Sequence, residues 1–312
     1  MRLIRPLTLC MTLLLLARCA REVIIDLPET EPKVVAVCHF TNDQHFRVNI
    51  TMSQPVNEGE DPDQPAAVDA TLSINGEFYD LLYRTKGDGN DYFWRSHQNK
   101  LARTGVIYSL VVRVPGYPTV QATSSIPVFH PIEKFTIDTA DVSVDTLSDG
   151  TTEWRIPLEL KLKDLPDQER YFAFYLTHDI NVYESFNPDI LDYTEEQLPT
   201  NFLADGRTIS LLHNIPEPVV LINENYWADD RRTLYLTARI PFNHASERPQ
   251  TLYVTWRTLS KEFYRYHLSL SRQGGNLPLN DPDAVFNNME GGLGNFSGYS
   301  IGVDTIPLPH LD

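Results

Sequence analysis

Residues 250–302 read QTLYVTWRTLSKEFYRYHLSLSRQGGNLPLNDPDAVFNNMEGGLGNFSGYSIG. Leu252, Val254 and Trp256 alternate with polar neighbours, the period of a strand with one buried face. Ser260 then offers a helix N-cap, and Glu262 falls in the first turn, where negative charge suits the helix dipole. Phe263, Tyr266, His267 and Leu270 recur at helical spacing, which predicts a short aromatic helix over residues 261–272. Gly274 and Gly275 stop it. Downstream, Gly291, Gly292, Gly294, Gly298 and Gly302 provide tight turns and close backbone approach before a last strand. No lysine stands in a phosphate-loop position after them, so this run reads as packing and not as a nucleotide cradle.

The same period-two pattern recurs along the chain. HFRVNITM places Phe46, Val48, Ile50 and Met52 on one face. AVDATLSI, VIYSLVVRV, WRIPLELKL, YFAFYLTH and TLYLTARI are further strands, rich in branched and aromatic residues. Asn75-Gly76, Gly87 to Asn90, Asp149-Gly150 and Asp205-Gly206 mark turns between them. The expected fold is mainly β: an immunoglobulin-like β-sandwich over 32–127, then a second β-rich, sandwich-like domain over 133–312 carrying the short C-terminal helix. Pro127 and Pro131 interrupt strand pairing between the two.

At the N-terminus, Arg2 and Arg5 precede an apolar run from Leu7 to Ala17, the layout of a secretory signal over residues 1–18. It ends at LARC, with Cys19 where a lipoprotein signal is cut and acylated, although Arg18 stands where a small residue is usual. Residues 19–31 read as a tether. Removal of Cys10 with the signal and acylation of Cys19 leaves Cys38 without a disulfide partner. Cys38 lies in the strand KVVAVCHF, with His39 on the opposite face, and reads as a small buried hydrophobe.

The chain has 42 acidic and 26 basic side chains, a net charge of −16. Nucleic acid and anionic membrane surfaces, which reward clustered lysine and arginine, are therefore excluded as partners. Membrane attachment is expected through the lipid anchor alone. The acidic stretches 56–66 and 86–91 lack the ligand alternation of calcium loops and read as hairpin turns. There is no GxSxG, HExxH, CxxC or dinucleotide glycine fingerprint, and the chain reads as a non-enzyme without cofactor or metal.

Two aromatic segments stand out as ligand-binding candidates. The long connection 178–207 carries Tyr183, Phe186 and Tyr193 among Glu184, Asp189, Asp192, Glu195 and Glu196, with DYTEEQL as an edge helix in the plainer reading. NENYWADDRR, residues 223–232, carries Tyr226 and Trp227.

LSKEFYRYHLSL, DPDAVFNNMEGGLGNFSGYS, VIIDLPETEPKVVAVCHFT, ATSSIPVFHPIEKF and ENYWADDRRTLYLTARI together resemble the Bacteroidota envelope lipoprotein family called domain of unknown function 4249. The resemblance covers most of the chain after the signal. It implies an outer-membrane, lipid-anchored accessory of a TonB-dependent receptor, binding a glycan or peptide nutrient for uptake. A surface adhesin or structural module is the alternative. It further implies O-glycans on the tripeptides centred on Thr139, Thr146 and Thr305, and it carries over no catalytic residue.

Overall fold

The computed structural model describes residues 31–53, 69–86, 89–95, 101–163, 171–183, 193–204, 210–212, 219–222, 233–272 and 284–309. The described elements fall in one compact unit, Lys33–Ser53 with Pro62–Asp312. They comprise seventeen strands in two sheets and one helix, so the protein is mainly β.

The smaller sheet has the order β5-β4-β3-β6-β7, built from β3 (Thr71–Ile74), β4 (Glu77–Lys86), β5 (Gly89–Arg95), β6 (Ile107–Arg113) and β7 (Val120–Ser125). It packs on β1 (Val34–Phe40), β2 (Asn49–Met52) and the first half of β17 (Leu293–Pro307). Alternation accounts for the core between them. Val34, Ala36, Cys38 and Phe40 of β1 face Leu72, Leu110, Val112 and Val120, with Phe296 of β17 fully buried among them. The rings of Phe40 and Phe46 lie 4.9 Å apart, and Phe40 and Phe296 lie 4.7 Å apart.

The larger sheet contains twelve strands. From β17 it runs through β16 (Glu247–Leu259), β11 (Tyr171–Tyr183), β12 (Tyr193–Ala204), β15 (Thr233–Phe242) and β10 (Thr152–Leu162) to β8 (Ile132–Ile137). Three short strands flank this path: β9 (Ser143–Thr146) on β10, and β14 (Val219–Ile222) on β11 with β13 (Ser210–Leu212) beyond it. One face of nearly all these strands feeds a single core, so the sheet curls around its own apolar side. Ile156, Leu158 and Leu160 of β10 sit in register with Ala238, Leu236 and Leu234 of β15. A one-residue slip would turn all of them to solvent. Trp256 is the largest side chain fully enclosed there, with Phe172 and Phe174 at 5.1 and 5.8 Å.

Residues on either side of the Pro127–Pro131 step belong to different cores, while β17 supplies Phe296 to the first and Leu308, just after its end, to the second. β17 pairs antiparallel with β16 and parallel with β1. Its glycines permit this crowding. A Cβ on Gly294, which has φ +122°, would lie 1.9 Å from the Ala36 carbonyl oxygen, and one on Gly298 would lie 2.4 Å from that of Ser125. Only glycine lets the backbones approach so closely.

Helix α1 (Lys261–Ser271) begins as the sequence predicts, with the Ser260 hydroxyl accepting from the Phe263 amide at 3.3 Å. Its packing is broader than the predicted single face. Besides Phe263, Tyr264 is buried and stacks on Tyr171 at 4.6 Å, in a third apolar cluster that includes Val219, Leu221 and Leu259. The helix covers the outer side of the curled sheet and has neighbours on two flanks.

Candidate functional site

The connection after His178 is a β-hairpin and contains no helix among its described residues, contrary to the edge helix read from DYTEEQL. β11 continues to Tyr183 and β12 starts at Tyr193, and the register sets these two tyrosines directly opposite each other. Thr194 to Leu198 are exposed on both faces, which removes the polar–apolar alternation that would have marked a strand. The Tyr183 amide donates to the Ser246 carbonyl at 2.8 Å, tying the hairpin to the turn before β16. Glu195 and Glu196 follow Tyr193 on β12 and are both exposed, on opposite faces of the strand. Tyrosine next to carboxylate suits stacking on a ring and accepting hydrogen bonds from hydroxyl or amine donors.

At the foot of the hairpin the pairing of β11 with β16 shifts between His178 and Ile180. Asp179, at this irregularity, accepts a short hydrogen bond from the Tyr253 hydroxyl and one from Gln197 Nε2 at 3.4 Å. The bond to Asp179 raises the Tyr253 phenol above its ordinary pKa, because the carboxylate favours the protonated form. His178 points the other way, into the second core, where its Nδ1 lies 2.8 Å from Thr200 Oγ. Burial lowers its pKa to about 4, against the opposing effect of Asp179. The adjacent His178 and Asp179 thus serve separate surroundings and do not form a catalytic dyad.

A second polar cluster lies under α1. The His39 and His267 rings are 4.8 Å apart, and Phe263 packs on both. Burial brings His39 down to about 4, with Asn295 opposing and Arg257 adding to the shift. Burial brings His267 to about 3, helped by His39 and Arg257. Both are therefore neutral near pH 7. Arg257 stands between the Tyr175 and Tyr299 rings, 5.1 Å from each centroid, so its charge is held by two aromatic faces. Asn295 Nδ2 donates to the Glu262 carbonyl at 3.3 Å, and the Ser297 hydroxyl donates to Asn295 Oδ1. This arrangement anchors the helix. No group of three or more histidine, cysteine or acidic residues able to hold a metal occurs among the described residues.

Cys38 is buried in the first core, and burial pushes its thiol up to about 12. It packs as a hydrophobe and presents no thiolate. Of the other residues singled out in the sequence, Cys19, Phe186, Tyr226 and Trp227 lie outside the described residues. Thr139, Thr146 and Thr305 are all exposed, on the turn after β8, at the end of β9 and late in β17. The Asp138 carboxylate accepts from the Ala140 amide at 3.1 Å, so that turn is fixed around Thr139. The structure brings Tyr183 and Tyr193 together. It also joins Asp179 to Tyr253 and His39 to His267, pairs whose partners are too far apart in sequence to be matched by spacing. The helical periodicity around His267 and the strand alternation around His39 were the only local signals.

No curated protein shows a significant match to the chain. Among protein families, the model of one described as Domain of unknown function (DUF4249) matches residues 20–305, spanning both cores and α1, and the chain belongs to that family.

Proposed function

We propose that the protein is a non-catalytic lipoprotein of the cell envelope, anchored in the outer membrane through Cys19. It serves as an accessory to a TonB-dependent receptor, holding a glycan or peptide for uptake. The observation that carries the binding role is the β11–β12 hairpin. Its two tyrosines stand opposite each other where it leaves the described core, and the exposed strand beside them carries Glu195 and Glu196. Such a strand leaves backbone and side chains open to a partner, and aromatic residues supply rigid contact area at low entropic cost. The LARC sequence at the end of an apolar leader supports the envelope placement.

The test is affinity capture of native, membrane-extracted protein followed by mass spectrometry, with wild type beside a Tyr183→Ala/Tyr193→Ala variant. The expected result is stoichiometric recovery of a TonB-dependent receptor with wild type and its loss with the variant. Recovery of the protein alone, in the presence of candidate glycans and peptides, refutes the accessory role and favours a free-standing adhesin.

A further inference from the structure

Three segments far apart in sequence meet at a polar cleft of about 350 Å³. One wall is Ser109 of β6 with Gln121 and Thr123 of β7. Glu262, in the first turn of α1, forms the second, and Asn288 and Glu290, just before β17, form the third. The volume lies at the small end of the range for ligand pockets, roughly 300–1,000 Å³.

The walls are held in place by the protein's own hydrogen bonds. Gln121 and Glu290 exchange backbone bonds of 3.0 and 2.8 Å, and Gln121 Nε2 donates to Glu290 Oε2 at 2.8 Å. Asn288 clasps Phe296, donating to its carbonyl at 2.8 Å and accepting from its amide at 3.0 Å. The Asn295 bond to the Glu262 carbonyl fixes the start of α1 against β17. A ligand would therefore meet a formed site and would lose little in ordering it.

The lining chemistry selects what fits. Among the described residues, two carboxylates, Glu262 and Glu290, line the cleft and no lysine or arginine does. The remaining described lining side chains are mainly hydroxyls and amides, with no aromatic ring among them for stacking on a sugar face. The chain's net charge of −16 adds a field that concentrates cations at its surface. We infer that this cleft binds a small organic cation through a primary ammonium group, with Glu262 and Glu290 as counter-charges and the Ser109 and Thr123 hydroxyls accepting further hydrogen bonds. The site is separate from the β11–β12 hairpin and does not depend on that hairpin's role.

Calorimetric titration of the purified protein tests this with putrescine, Nα-acetyl-lysine amide and the uncharged 1,4-butanediol. Saturable binding is expected for at least one of the amines and none for the diol. Tighter binding of putrescine identifies a free amine as the source, and tighter binding of the lysine derivative identifies a polypeptide side chain. Glu262→Gln and Glu290→Gln should each weaken binding about tenfold, the order of one charge-assisted contact. Glu195→Gln, on the hairpin, should leave it unchanged. Thermal melting confirms that each variant is folded, and Thr123→Val provides a second probe of the wall that leaves the carboxylates in place. Equal behaviour of amines and diol, or equal loss in Glu195→Gln and the cleft variants, overturns the proposal.

Discussion

Replacing Gly302 by alanine tests how the segment between the two cores is seated. Gly302 lies opposite Trp256 in the β16–β17 register, and a Cβ there would stand 2.3 Å from Phe129 Cζ and 2.9 Å from Cε1. The Phe129 ring is half-buried against the second core and must shift to admit a methyl group. Overpacking of this kind costs about 1–3 kcal/mol. A stiffer unfolded chain returns about 0.4–1 kcal/mol of that. Gly302→Ala should therefore be less stable by about 1–2 kcal/mol, a fall of several degrees in unfolding midpoint. Phe129→Ala alone removes a partly buried ring and should cost about 2 kcal/mol. In the double variant the new methyl group occupies space the ring has left, so the two costs should not add. The expected total is about 2 kcal/mol, a coupling of about 1–2 kcal/mol in the relieving direction. Denaturant titrations followed by fluorescence of Trp154 and Trp256, both in the second core, measure all four corners of the cycle. Additivity within about 0.5 kcal/mol would show that the Phe129 ring does not rest over Gly302.

Three further outcomes follow from the titrating and reactive groups. His39 and His267 have folded-state values near 4 and 3, below the ordinary 6.5, so the unfolded chain binds more protons in acid. Their stabilising contribution is complete above about pH 7 and should decline as pH falls from 6.5 towards 4, with His39→Phe flattening the slope; a wild-type unfolding midpoint constant over that window contradicts the burial of the pair. Cys38 should resist iodoacetamide at pH 8 in the native protein and react once denaturant is added, as read by peptide mass; rapid native alkylation would place it outside the core. Asp179→Asn should let the Tyr253 phenol ionise at lower pH in an absorbance titration, since the neighbouring negative charge is gone. An unchanged tyrosine titration would break the assigned contact.

What the sequence revealed depended on whether one face of an element is buried. WRIPLELKL alternates because Ile156, Leu158, Leu160 and Leu162 line a core, and the same holds for Leu252, Val254 and Trp256. Ser260 marked a helix start because capping is local. The hairpin was missed where both faces of Thr194 to Leu198 meet solvent, since no burial imposes a period there. Tyr264 was missed because the predicted stripe allowed for one neighbour and α1 has two. The parallel pairing of β1 with β17, and the meeting of Ser109, Gln121, Glu262 and Glu290, depend on which distant segments become adjacent. Composition and spacing carry no record of that. Tyr226, Trp227, Phe186 and Cys19 fall outside the described residues, so for them only the sequence reading stands.

The parallel joint between β1 and β17 also governs when the molecule can fold. β1 is the first described strand and β17 the last, yet they are neighbours in one sheet, and Met289 and Phe296 join a core otherwise drawn from Val34 to Ile126. On a ribosome, β1 waits with an open edge until β17 has emerged. Closing so long a loop is entropically costly and makes the nucleus slow to form. The first half therefore cannot mature ahead of the second, as independent domains do during translation.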